Sequence, residues 1–184
     1  MFELFTKFVE ENDKIFMEQN IPTFYETIES EEIKESFDIE CIDNEKIIQI
    51  VSTGLKDILI PIRNEEALND LKPNFEYIKS ISRKYNVIGM HLYTFNNERI
   101  ICRNFAPLYD VDEESATGTS NCALAGLLFT KMNIKKKVYT FEQGYSLNSP
   151  SCIVVKIESK DNENIEKIFV GGNSMFINIV EINI

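Results

Sequence analysis

No stretch of this chain comes near the ~20 consecutive apolar residues that a helix needs to cross a bilayer. Its start, MFELFTKFVEEND, lacks the basic opening, apolar middle and small-residue cleavage site of a secretory leader. The chain therefore reads as cytoplasmic, with no membrane among its partners. Basic residues are scarce, with 19 Lys and Arg against 30 Asp and Glu and a net charge of −11. Lys135, Lys136 and Lys137 form the only tight basic run. Such a surface repels phosphate backbones, which excludes a nucleic-acid partner. Cysteines number four, at 41, 102, 122 and 152, and none forms a C-x-x-C pair. With no secretory context they read as reduced, mostly buried small hydrophobes. His91 is the only histidine, so no ligand set has zinc spacing. A dinucleotide glycine motif, a P-loop and a haem signature are also missing, and no organic cofactor is expected.

What is present is an ordinary globular composition, 43% hydrophobic and 27% charged, in 184 residues. That length suits one well-built core, and no repeat, low-complexity stretch or linker divides it. A single domain over 1–184 is expected. The dominant pattern is β. Phe2, Leu4, Thr6 and Phe8 alternate with polar residues, and a turn at 11–13 leads into Ile15-Phe16-Met17. KIIQIVSTG (46–54), DILIPI (57–62) and a hairpin of NVIGMHLYTF (86–95) with RIICRNF (99–105) follow. After residue 135, apolar runs punctuated by Asn-Ser-Pro, Asp-Asn-Glu-Asn and Gly-Gly-Asn read as an antiparallel meander. Three short helices are expected on the surface, after Ser30, after Asn64, and over NFEYIKSISRKY.

One helix differs. CALAGLLFTKM (122–132) is apolar around nearly its whole circumference, so protein must surround it. The favoured fold is α+β, a curved, mostly antiparallel sheet wrapped around this central buried helix. A helix sandwiched between layers, or buried in a subunit interface, is the alternative. Before it runs Glu113-Glu114-Ser115-Ala116-Thr117-Gly118-Thr119-Ser120-Asn121. Free N–H groups of the first turn and the helix dipole suit a carboxylate or phosphate there. From spacing alone, plain capping by the same residues takes the larger share, since Ser/Thr-rich helix starts are common, and acids before a helix are ordinary dipole partners. Glu113 or Glu114 could instead exchange a proton with a bound small acid.

RNFAPLYDVDEESATGTSNCALAGLLF (103–129) strongly resembles the PhzF-like isomerase family, named for phenazine biosynthesis and related to diaminopimelate epimerases. VSTGLKDILIPI (51–62), GMHLYTF (89–95), FEQGYSLNSPSCIVVKI (141–157) and VGG (170–172) match it in family order. The resemblance implies two curved-sheet domains with a cleft between them, and a cofactor-independent proton transfer at carbon on a small carboxylic acid. It places Glu114 as the loop acid and Thr119 in the position of the family Ser, both catalytic. Thr117, Gly118, Ser120, Arg103 and Gln143 fall in substrate-binding positions. Arg103 could support the loop or face substrate, and Gln143-Gly144 could form a cleft wall or a plain turn. Ser149 stands where many members have Arg. Ser115 and Ala116 stand where a thiol-based epimerase needs Cys, Cys122 reads as packing, and His91 reads as a structural or rim residue rather than a catalyst.

By the same resemblance the chain corresponds to the C-terminal half only. Residues 1–20 match the crossover between domains and 174–184 the closing strand. The N-terminal domain, with its N-P-x-A/G-V stretch and acid/base residue, has no counterpart. The site is then expected to be half of an isomerase site, completed by a separate N-terminal-half subunit or a second copy. A homodimeric small-carboxylate binder and a non-catalytic remnant are the alternatives.

Overall fold

The strands take their places by alternation. In Ile58-Leu59-Ile60 every residue is fully buried, so this strand is covered on both faces. Leu59 belongs to one apolar cluster while Ile58 and Ile60 belong to another. The neighbouring strands divide likewise, with Val51, Tyr93 and Cys102 on the first side and Ile50, Leu92 and Ile101 on the second.

The computed structural model describes residues 8–11 and 14–173. In chain order they form β1 (Phe8–Glu11), β2 (Lys14–Gln19), β3 (Thr23–Thr27), β4 (Gln49–Ser52) and β5 (Lys56–Pro61). Helices α1 (Glu65–Asp70) and α2 (Phe75–Tyr85) precede β6 (Gly89–Asn96), β7 (Arg99–Ala106) and β8 (Val111–Glu114). Helix α3 (Gly118–Thr130) leads to β9 (Val138–Gln143), β10 (Ser151–Lys160) and β11 (Asn164–Asn173). The strand order is β1-β2-β11-β10-β9-β7-β6-β5-β4-β3, with β8 paired to β7 at the side. All pairings are antiparallel except β5 with β6 and β7 with β9. The expected mostly antiparallel sheet with a few helices is present. It is curved, since α3 touches β4 and β5 near one end of the order and β10 and β11 near the other.

Helices α1 and α2 lie on the side of Ile58 and Ile60 and bury Leu68, Ile78 and Ile81 there. Each starts on an asparagine cap, of which only Asn64 was expected. Asn64 Oδ1 accepts from the Ala67 amide at 2.8 Å and Asn74 Oδ1 from the Tyr77 amide at 3.2 Å. The stretch after Ser30 gives only a 3-10 turn, Ser30–Ile33. Just beyond it the Ser36 carbonyl accepts from the Asn74 amide at 2.7 Å. Helix α3 lies on the other side, with every residue from Ser120 to Phe129 buried. Its start is four residues before the apolar run, because the polar turn Gly118-Thr119-Ser120-Asn121 is already helical. Full burial of Leu124, Leu127, Leu128 and Phe129 contributes about 1.5–3 kcal/mol for each side chain. At Gly126 an added Cβ would sit 2.4 Å from Pro22 Cγ, so the small residue lets the link between β2 and β3 cross the helix closely. The alternation at 2–6 and the closing strand at 174–184 lie outside the described residues.

Candidate functional site at the start of α3

Alternation decides which residues meet α3. Asp57 and Leu59 of β5, His91 and Tyr93 of β6, and Cys102 and Asn104 of β7 share its side of the sheet. Arg103, one residue out of step, faces the other side.

Thr117 is the residue before the helix, with an extended backbone (φ −133°, ψ 103°) and no side-chain bond to the first turn. Its hydroxyl is engaged elsewhere. It accepts from Gln143 Nε2 at 3.0 Å and donates to Glu114 Oε2 at 2.5 Å. Among the described residues, nothing takes the amide hydrogens of Gly118, Thr119 and Ser120. The first bond inside the helix runs from the Asn121 amide to the Thr117 carbonyl at 3.3 Å. Three parallel donors at the positive end of a helix are left to an outside acceptor. Gly118 keeps this turn tight, since a Cβ there would lie 3.3 Å from Val170 Cγ1. The backbone of Thr119 is anchored by Thr53, whose hydroxyl donates to the Thr119 carbonyl at 3.0 Å, while no described residue bonds the Thr119 hydroxyl.

A buried amide network holds Glu114 beside these donors. Gln143, fully buried, donates to the Glu114 carbonyl at 2.9 Å and accepts from Asn121 Nδ2 at 3.0 Å. Asn121 Nδ2 also donates to the Thr117 carbonyl at 2.8 Å. Asn104 Nδ2 donates to Glu114 Oε2 at 3.3 Å. These bonds point both Asn oxygens at His91, Nδ1 facing Asn104 Oδ1 at 3.0 Å and Nε2 facing Asn121 Oδ1 at 3.3 Å. Only an imidazolium could donate to both. Burial opposes that charge and pushes His91 down to about 4, despite the two amides favouring it. His91 is thus a neutral structural group with one unmatched contact.

Two expected site residues are bound into the scaffold. Arg103 grips Glu113 through Nε and Nη2 at 2.8 and 2.9 Å and gives Nη1 to the Leu68 and Leu71 carbonyls at 2.9 Å each. On that side of the sheet it supports the loop from behind and does not face a ligand at α3. Gln143 likewise spends its amide on the loop. Cys122 is buried in α3 and burial pushes its thiol far up, so it is a packing group.

Asp57 is the residue that sequence reasoning missed. Ser120, expected to bind substrate, is buried and donates its hydroxyl to Asp57 Oδ2 at 2.6 Å. Asp57 is 1% exposed and its other oxygen has no partner among the described residues. Burial pushes its carboxyl up to about 7; the charge of Glu114 adds to this, while the Ser120 hydroxyl and the Gly89 amide pull the other way. The signal was visible: an acid at the head of an apolar strand with no basic partner in register. Among the described residues no three His, Cys, Asp or Glu side chains gather as a metal site, and no helix is long and apolar enough to cross a membrane.

The fold is thus a curved, mostly antiparallel sheet, with a carboxylate held beside the open first turn of a buried helix. The chain belongs to the phenazine biosynthesis-like protein family, whose model matches residues 3–178. It is 29% identical to an uncharacterized isomerase of Clostridium acetobutylicum over 92% of this chain and 61% of that protein. An uncharacterized isomerase of Deinococcus radiodurans is also 29% identical, over 66% of this chain and 41% of its own length. The crystal structure of a PhzF-family phenazine biosynthesis protein from Bacillus anthracis superposes with a TM-score of 0.78 at 19% identity, covering 97% of this chain and 64% of that one. The chain thus spans about two fifths to three fifths of the length of these curated relatives.

The extent of the family match corrects two expectations. The likeness is not to a C-terminal half only, since it runs over nearly the whole chain. The expectation of half an isomerase site, completed by a separate subunit or a second copy, falls with it. The described residues themselves place a second carboxyl, Asp57, on the first turn of α3.

Proposed function

We propose that this chain is an isomerase that moves a proton at carbon on a small carboxylic acid, at the start of α3. In this reading α3 is a central helix around which the sheet curls, which its contacts with both β4–β5 and β10–β11 support. The substrate carboxylate sits on the free amides of Gly118, Thr119 and Ser120, with the Thr119 hydroxyl beside it. The Glu114 carboxylate takes a proton from the adjacent carbon. The C–H electron pair moves onto the carboxylate oxygens, where the amides and the helix dipole stabilise the growing charge. Glu114 then returns the proton to a carbon of the same molecule. Thr117, Asn104, Asn121 and Gln143 are positioning residues that hold the Glu114 carboxylate in place.

The observation that carries this reading is the set of three unpaired amides next to a carboxylate fixed by two donors. The names of the two curated relatives, both isomerases, point the same way. The test is hydrogen exchange at carbon in deuterated water, with a panel of small cyclic and unsaturated carboxylic acids. Exchange is expected for at least one acid and should fall by roughly 10²–10⁴-fold in Glu114→Gln. Exchange that survives the substitution unchanged, or none across the panel, would sink the proposal.

A further inference from the structure

Asp57 and the helix start cannot both hold full negative charge cheaply. The first turn of α3 offers its amides to a carboxylate, and Ser120 in that same turn is bonded to Asp57. Asp57 Oδ1 is buried with no partner among the described residues, so no donor offsets a second charge there. Of the groups around Asp57, Glu114 on β8 is the one whose charge raises it. Ser120 on α3 contributes one hydrogen bond, the Gly89 amide on β6 only a weak pull toward the charged form, and His91 on β6 is neutral. A ligand carboxylate on the turn would add a second negative neighbour, and two like charges at such range are strongly unfavourable in a dry site.

We infer that Asp57 is protonated whenever a carboxylate occupies the first turn of α3, so that binding the small acid takes up a proton from solution. This rests on the reading of that turn as the carboxylate site. Asp57 is then a positioning residue that regulates binding and never touches the reacting carbon. The consequence is a pH gate on binding. Free Asp57 is about half ionised near neutral pH, since burial places it at about 7. Above that, each bound carboxylate requires one proton, and affinity should fall about tenfold per pH unit. Below it the proton is already in place and affinity levels off.

The test is calorimetric titration of the full chain with sodium acetate, repeated in buffers of different ionisation enthalpy. The slope of heat against buffer enthalpy counts protons taken up. Near pH 8 the expected value is close to one per acetate bound, and in Asp57→Asn it is close to zero with the pH slope of affinity abolished. Ser120→Ala is the second variant. Loss of its hydroxyl removes a bond that favours ionised Asp57, so uptake should begin at higher pH than in the parent. Acetate binding with no proton uptake would overturn the inference and leave the anion site standing. An absence of acetate binding would overturn both.

Discussion

Removing the carboxylate that faces Arg103 should be among the most damaging single changes in the protein. Arg103 and Glu113 expose only 8% and 9% of their side chains. The guanidinium makes two bonds to Glu113 and two to the Leu68 and Leu71 carbonyls, and it lies 4.9 Å over the Phe105 ring. In Glu113→Leu the carbonyls remain, but Nε and Nη2 lose their partner and the cation stays buried. Breaking such a pair from one side costs about 3–5 kcal/mol, a large part of the ~5–15 kcal/mol that holds a domain folded. The exposed pair of Arg99 with Glu142 supplies an internal control, its side chains being 43% and 24% exposed. Glu142→Gln should cost only about 0.2–1 kcal/mol. Urea denaturation of the three proteins measures both differences. The double variant Arg103→Met with Glu113→Leu should recover stability relative to Glu113→Leu, because no unpaired charge is left inside. A cost below about 1 kcal/mol for Glu113→Leu, matching the control, would refute the assignment of Arg103 as a buried brace.

Asp57 adds a pH signature to stability. Its folded value is about 7, well above the ordinary aspartate value of 3.8, so its contribution is fully present below about pH 4 and lost as pH rises toward 7. The stability difference between Asp57→Asn and the parent should shift toward the variant by a few kcal/mol across that window in urea melts. Parallel profiles would contradict it. His91 runs the opposite way: its folded value of about 4 lies below 6.5, so its contribution is complete above pH 6.5 and lost as pH falls toward 4. His91→Gln should flatten that loss, by about 3 kcal/mol at most, read by the same melts. Gly126→Ala should lower stability by about 1–3 kcal/mol, since the new methyl would collide with Pro22; a stabilised protein would mean the link is free to shift. Thr119→Ala should weaken substrate binding and leave the fold intact, giving a raised KM at unchanged melting temperature.

The parts of the structure that were legible in the sequence are those where one residue type has one use. Asn64 caps α1 because an asparagine before an apolar stripe has little else to do. The apolar circumference of 122–132 announced burial, which runs through Phe129 while Thr130 and Lys131 are exposed. The strands at 49–61, 89–106 and 138–173 followed the expected pattern, whereas the short strand at 111–114 did not show in it. The site was harder, because the same residue types serve holding and reacting. Arg103 and Gln143 carry the right chemistry for a ligand, yet the parity of their strands and the fit of the loop turn them inward. Ser120 reads as an exposed first-turn hydroxyl and is buried on an acid 63 positions away in sequence. Asp57 sits in an apolar strand, and only the crossing of β5 beneath α3 reveals what it meets. Partners set by tertiary approach leave no local trace.

Strands β2 and β3 are joined by residues 20–22 alone, yet they stand near opposite ends of the strand order, β2 against β11 and β3 against β4. Phe16 must find Gly171 across most of the chain's length before that edge can zip. Loop closure of this span is entropically late, so the meander of β9 to β11 and the β6–β7 hairpin are expected to form early and the β2–β11 seam last. Until it closes, both margins offer unsatisfied backbone to other chains. Crowded, newly made molecules would therefore be vulnerable during this interval, and a ligand that steadies α3 would shorten it by giving the late strand a finished surface to dock on.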